Sequence, residues 1–336
     1  MPVTLADVAE LAGVSRSAVS RTFTPGASVS DNTRRKVEAA AKKLGYRPNM
    51  IARSLSTKRT HLVGLVCNNF HNPYLMEVFE YFTEQLQANH LRPLLVNLSG
   101  DTDPQESINL LHQYRVDAVI VASSTLPPDF TLSFKQAGIP CIHVFGRSAD
   151  EPEINIVGIN NNMGGRLAAT SLIERGYQRI AFLGGPANAT STKDREAGFR
   201  LTLQEHNREI VCACHTERYA YDDGYYTMQK LLEQYQFDGL FCGDDVITMG
   251  AISAAREHGI KIPQELGVIG FNDMAMAKWP GMEFSTISQP TKDIARSTVE
   301  LLQAMLKDPG RTVEARIFCC SLVDRGTLRP IPHKTE

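Results

Sequence analysis

Arg16, Ser17, Ser20 and Arg21 place two guanidiniums and two hydroxyls within six residues near the start of a 336-residue chain. A guanidinium can pair bidentately with the acceptor edge of guanine, and hydroxyls and guanidiniums together hold phosphate oxygens, so these types offer recognition of duplex DNA. Asp244, Asp245 and Asp273, with His143 and His215, supply acid and base groups, but no nucleophile, base and orienting group stand at a recognisable spacing. No G-x-G-x-x-G or Walker A loop occurs, and Gly184-Gly185-Pro186 puts proline where a phosphate-cradling amide would be needed. Cys212-Ala213-Cys214-His215 carries metal-ligand residue types, yet alternation within an apolar stretch reads as one face of a strand. No catalytic set, metal or cofactor is therefore expected, and the chain does not read as an enzyme.

The elements that must position the first four side chains lie within residues 4–23. Leu5, Val8, Ala9 and Ala12 form one apolar stripe, with Thr4 as N-cap, Asp7 three residues on, and Gly13 to end the helix. Ser15 caps a second helix whose Val19 and Phe23 turn inward, leaving Arg16, Ser17, Ser20 and Arg21 on its open face: a helix-turn-helix. Thr4, Leu5 and Ser15, at the two helix starts, join them as candidate DNA contacts. A third helix runs from its cap Ser30 through Val37, Ala40, Ala41 and Leu44 to Gly45. Beyond it, residues 46–59 are basic, and Asn49 can cap one or two turns that are marginal in water and form when DNA and a partner chain support them.

The formal charge is only −2, but residues 1–59 hold eleven Lys and Arg against four Asp and Glu, net +7, which leaves −9 for the other 277. Positive charge thus collects in the segment that would meet phosphates. With 43% hydrophobic and 21% charged residues the chain has the composition of a soluble globular protein of two or three domains. Seven cysteines without a C-x-x-C pair suggest reduced thiols. Asp7 and Glu10 stand where a signal peptide would need apolar residues, and no run of about 18 apolar residues exists, so a cytoplasmic protein without membrane contact is expected.

From residue 60, apolar runs of strand length alternate with periodic segments of helix length: strands at 62–67, 94–98, 118–122 and 141–145, then 179–183, 210–214, 239–242 and 267–270. Helices are expected at 73–89, 104–114 and 130–137, then 166–175, 194–205, 223–233 and 247–257. Two doubly wound α/β units in tandem are the simplest account, with a ligand cleft beyond the carboxyl ends of their strands.

At this point the sequence resembles the LacI/GalR family of bacterial transcription regulators. The likeness rests on Val8-Ala9-Glu10-Leu11-Ala12-Gly13-Val14-Ser15, Val19-Ser20-Arg21, Leu44-Gly45-Tyr46-Arg47-Pro48-Asn49, Ala52-Arg53 with Leu55, and Asn72-Pro73-Tyr74. It continues through Gly164-Gly165, Arg195 with Gly198-Phe199, Gly243-Asp244-Asp245, Gly270-Phe271-Asn272-Asp273 and Gln289-Pro290. Ala18, Asn160 and Asn272 depart from it, standing where the family commonly has Thr, Asp and Asp.

The resemblance implies a homodimer or tetramer whose paired headpieces bind a pseudo-palindromic operator and whose cleft binds a small effector, a sugar or sugar derivative, with a purine or nucleoside as the alternative. Repression of a carbohydrate-utilisation operon is the implied outcome. The absence of a heptad tail after Arg329-Pro330 favours a dimer. The implied boundaries are 1–46 for the helix-turn-helix domain, 47–59 for the hinge helix, 60–160 with 290–320 for one effector-binding half, and 161–289 with 321–330 for the other. In the hinge, Asn49, Ala52 and Arg53 would meet DNA, and Leu55 resembles the family's minor-groove wedge. By position, Phe70, His71, Tyr74, Ser123, Ser124 and Arg147 are expected to face the cleft from the first half. Asn162, Met163, Arg195, Tyr219, Asp245 and Asp273 would face them from the second. There Asp245 and Arg195 would grip ligand hydroxyls, and Tyr74 or Tyr219 would stack on a sugar ring.

Overall fold

Capping chemistry begins each of the first three helices. Thr4 Oγ1 accepts from Asp7 N while the Asp7 carboxylate accepts from Thr4 N at 2.7 Å, opening α1 (Leu5–Ala12), which Gly13 ends at φ 64°. Ser15 Oγ accepts from Ala18 N at 3.2 Å at the start of α2 (Arg16–Thr22), and Ser30 does the same for Thr33 N ahead of α3 (Asp31–Leu44). Val8, Ala9, Val19, Val37, Ala40 and Ala41 close a small core, with Phe23, partly buried, set 5.8 Å from Tyr46.

The structure is a computed structural model that describes residues 3–24, 26–47, 54, 59–98, 104–126, 128–147 and 152–332; the chain divides into two compact units, Met1–Thr60 and His61–Glu336.

The second unit opens with β1 (Leu62–Cys67), α4 (Tyr74–Ala88), β2 (Arg92–Asn97), α5 (Pro104–Gln113), β3 (Ala118–Ala122), α6 (Pro128–Gln136), β4 (Cys141–Val144) and β5 (Asn155–Ile159). The alternation then restarts with α7 (Asn161–Glu174), β6 (Ile180–Gly184), α8 (Thr190–Glu205), β7 (Ile210–His215), α9 (Tyr221–Gln234), β8 (Gly239–Cys242), α10 (Asp245–Glu257) and β9 (Gly267–Asn272). A 3-10 turn (Ala275–Lys278), β10 (Ser285–Ser288), α11 (Thr291–Lys307), β11 (Ala315–Phe318) and β12 (Ser321–Val323) complete it.

Two six-stranded sheets result, ordered β2-β1-β3-β4-β5-β11 and β7-β6-β8-β9-β10-β12. Every neighbouring pair is parallel except β10 with β12. The fold is therefore the tandem doubly wound α/β arrangement behind a helix-turn-helix unit that the sequence pattern implied. Strands such as β3 and β8, buried along their whole length, need apolar side chains on both faces, which is why they read as unbroken apolar runs.

Several elements escaped the sequence reading: β5, β10, α11, β11 and β12 were not expected. α11 packs on α4, and β11 pairs with β5, so the chain returns to the first half after residue 290, while β12 pairs back to β10. Five helices also begin earlier than expected: α6 at 128 and α9 at 221, and the three that reach the cleft, α7 at 161, α8 at 190 and α10 at 245. The first turns of these three carry Asn, Gly, Ser, Thr and Asp in place of an apolar stripe, and those turns build the site. Among the described residues no helix is long and apolar enough to cross a membrane.

Candidate functional site

In the first unit α2 leaves Arg16, Ser17, Ser20 and Arg21 exposed along one helix. Ser15 Oγ lies 2.9 Å from Ser17 Oγ, and Arg21 Nε reaches Ser17 O at 3.4 Å. At the start of α1, Thr4 is exposed with its hydroxyl bonded to the Asp7 carboxylate, and Leu5 is partly buried against the core. Asn49, Ala52, Arg53 and Leu55 lie outside the described residues.

In the second unit the strand order reverses between β1 and β3 in one sheet and between β6 and β8 in the other, so the loops leaving these strands diverge. A cleft forms there. It encloses about 60 Å³ and draws on both halves: Asn68, Asn72, Tyr74, Ser123, Ser124 and Phe145 from the first, Asn161, Ser191, Arg195, Tyr219, Asp244 and Asn272 from the second, and Gln289 from the crossover between β10 and α11.

Arg195 is the fixed cation of this site. Its Nε donates to Asn161 Oδ1 at 2.8 Å, its NH1 to Gly243 O at 2.6 Å, and its guanidinium lies 3.5 Å from the Phe271 ring centre. Burial pulls its basicity below the usual range, opposed by the neighbouring Tyr219 and Asp244. Asp244, the N-cap of α10, accepts from Val246 N at 2.9 Å, from Asn72 Nδ2 across the cleft at 2.8 Å and from Asn272 Nδ2 at 2.9 Å. Burial pushes its carboxyl up to about 6 despite these donors and Arg195. Tyr219 rests on Gly185, where a Cβ would meet its ring at 2.1 Å, and its hydroxyl meets Ser191 and Thr192 at 3.2 and 3.1 Å.

Of the residues expected in the cleft, Tyr74, Ser123, Ser124, Arg195 and Tyr219 are brought together. Three on the second half miss by one position. Asp245 is fully buried against the second sheet, accepting from Thr286 Oγ1 at 2.6 Å and Met274 N at 2.8 Å, and Asp244 holds the cleft position instead. Asn162 gives way to Asn161, and Asp273 to Asn272; left-handed backbone at both Asn272 (φ 121°) and Asp273 (φ 59°) turns the latter away to pair with Arg325. Met163 is exposed, capped from below by Asn160, and His71 is exposed too. Phe70 stacks on Phe79 at 5.2 Å. Arg147 sits at the rim and bridges the halves, its Nε 3.0 Å from Asp194 Oδ2. Asn68, Asn72, Phe145, Asn161, Ser191 and Gln289 were missed; Asn68 and Gln289 carry a usable signal as the first residue after a strand, and Asn161 as the start of a helix. Among the described residues no group of three metal-ligating side chains exists, and His215 pairs with Glu196 at 2.7 Å.

Asp245 gives a pH test. Burial raises its pKa to about 7, against the pull of Thr286 and Met274, so the folded protein keeps a proton that the unfolded chain releases near pH 4. Relative to Asp245→Asn, the wild type is expected to lose on the order of 4 kcal/mol of stability as pH rises from 4 through 7, and to change little above that. Urea melts of both proteins across this range check it; a constant difference contradicts it.

Residues 4–49 match the model of bacterial regulatory proteins of the lacI family, and residues 169–328 that of a periplasmic binding protein-like domain. The chain is 30% identical over 316 residues to the sucrose operon repressor of Pediococcus pentosaceus, covering 93% of this chain and 95% of the relative. It is also 30% identical over 343 residues to the HTH-type transcriptional repressor PurR of Erwinia tasmaniensis, covering 98% of each. The structure of the lac repressor dimer bound to operator and the anti-inducer ONPF superposes with a TM-score of 0.88 at 24% identity, covering 98% of this chain and 100% of that one. Matched at its DNA-reading end and along nearly its whole length, the chain belongs to the LacI family of bacterial regulatory proteins.

Proposed function

We propose that the chain is a transcriptional repressor that binds operator DNA as a homodimer through α2 and responds to a small neutral effector, a sugar or sugar derivative, held in the cleft. The observation that carries the effector class is the lining. Side-chain amides of Asn68, Asn72, Asn161, Asn272 and Gln289 and hydroxyls of Ser123, Ser124 and Ser191 stand around one buried guanidinium and one carboxylate. Such a set pairs donors and acceptors with many hydroxyls, while the single cation, already bonded to Asn161 and Gly243, suits an anionic ligand poorly. The relative named for the sucrose operon supports this reading. A purine is the second reading, supported by the PurR relative and by the aromatic walls Tyr74, Phe145 and Tyr219.

The cleft's 60 Å³ falls well below the roughly 300–1,000 Å³ of ligand pockets, so the halves part to admit the effector. Bonds that span them define what is broken: Asn72 to Asp244 at 2.8 Å, Thr190 Oγ1 to Ser124 O at 3.0 Å, Ala275 N to Glu77 Oε1 at 2.8 Å, and Arg147 with Asp194. Closure around the effector shifts operator affinity through residues 47–59. On this reading the protein works in the cytoplasm, where its operator is.

Removal of residues 1–60 tests the division of labour. The shortened chain is expected to lose all affinity for promoter fragments yet keep the sugar affinity of the full chain, measured by calorimetry; retained DNA binding contradicts the reading.

A further inference from the structure

Gln289 occupies the crossover between β10, in the second sheet, and α11, which packs on α4 of the first half. Its side chain is 5% exposed and lines the cleft. Three hydrogen bonds decide which way round it stands. Asp244 Oδ2 takes protons from Asn72 Nδ2 at 2.8 Å and Asn272 Nδ2 at 2.9 Å, which leaves Asn272 Oδ1 as an acceptor, and Gln289 Nε2 donates to that oxygen at 2.7 Å. The amide nitrogen is thereby committed. Its oxygen, Oε1, is buried and accepts from no group among the described residues. Buried acceptors are nearly always paired, because the bond water would have made is otherwise lost.

We propose that Gln289 reads the effector: Oε1 accepts a hydrogen bond from a hydroxyl or N–H group of a neutral ligand. The inference rests on the cleft being the effector site. It narrows the ligand class, since a deprotonated phosphate, a carboxylate or an O-alkylated sugar position has no proton to offer there. It also gives the contact a path. The bonded series Gln289, Asn272, Asp244 and Asn72 runs from the crossover, through the second half, to the first. The bonds from Gln289 through Asn272 to Asp244 all run donor to acceptor in one direction, so a donor arriving at Oε1 strengthens them in turn; Asp244 Oδ2 is shared with Asn72, so the bond that spans the cleft is loosened.

Calorimetric titration of the full chain with sucrose, D-glucose, D-ribose and hypoxanthine selects the tightest ligand, and analogues of it with single donors methylated or removed follow. In the wild type, capping one donor is expected to weaken binding about tenfold. In Gln289→Met, similar in shape but without the acceptor, the parent ligand should bind about tenfold more weakly and the same cap should cost less than about twofold. Gln289→Glu, which keeps an oxygen at that place, should restore sensitivity to the cap, and a melting temperature near wild type shows that each variant is folded. An unchanged response to every cap in folded Gln289→Met overturns the inference and leaves the cleft reading intact. Failure of the wild type to bind any of the four ligands overturns both.

Discussion

Gly165→Ala is expected to destabilise the second unit by about 3 kcal/mol, a fall of roughly 6–10 °C in melting temperature, and to abolish effector binding with it. A Cβ at Gly165 would lie 2.0 Å from Arg195 O and 3.0 Å from Phe199 N, backbone atoms that cannot rotate aside. The reciprocal contact is as close, since a Cβ at Gly198 would lie 2.0 Å from Asn162 O. α7 and α8 thus touch backbone to backbone, and the only relief is for the helices to separate. That motion pulls on the site itself, because Asn161 opens α7, Arg195 sits in α8, and the 2.8 Å bond between them fixes the guanidinium. Gly198→Ala should behave alike. Gly310→Ala, where the nearest atom to a new Cβ is Asp308 Oδ1 at 3.5 Å, should melt within about a degree of wild type. Equal melting of Gly165→Ala and wild type would mean that the helices are not locked this way.

The same pair of helices shows what was legible in the sequence. Gly164-Gly165 and Arg195 with Gly198-Phe199 stood out as motifs, but a glycine's job in a helix contact emerges only when the partner helix is in place. Strands were readable because full burial forces apolar side chains onto both faces. The helical headpiece was readable because Thr4, Gly13, Ser15, Ser30 and Gly45 do local chemistry that needs no tertiary partner. Which residue faces the cleft was harder. Where a strand gives way to a loop or to the first turn of a helix, neighbouring side chains point different ways, so an error of one residue exchanges cleft for core. Asp245, buried at zero exposure beside Asp244, is that exchange, and Asp273 beside Asn272 is another, set by positive φ at two residues whose types, Asn and Asp, tolerate it but do not by themselves mark where it occurs. Gln289 was quoted as a family motif and given no role, because its orphaned oxygen depends on three bonds from residues far apart in sequence.

If α2 reads DNA sequence as proposed, Arg16 is the side chain that contributes most to the reading. It stands exposed at the first position of α2, ahead of the face shared by Ser17, Ser20 and Arg21. A guanidinium paired bidentately with guanine discriminates by roughly 1–3 kcal/mol, and a symmetric dimer uses it twice, so Arg16→Ala should weaken operator binding by about 10²- to 10⁴-fold. A residue that holds only phosphate would instead lower affinity for all sequences alike.

The most direct measurement is selection of duplexes from a random pool by the full chain, followed by affinities of wild type and Arg16→Ala on the winner at roughly 50 and 200 mM salt. The account predicts a pseudo-palindromic winner, wild-type affinity that falls by about 10³-fold or more between those salts, and a variant that has lost preference at one symmetric base pair. No enriched motif, or equal affinity and equal preference in the two proteins, would contradict it.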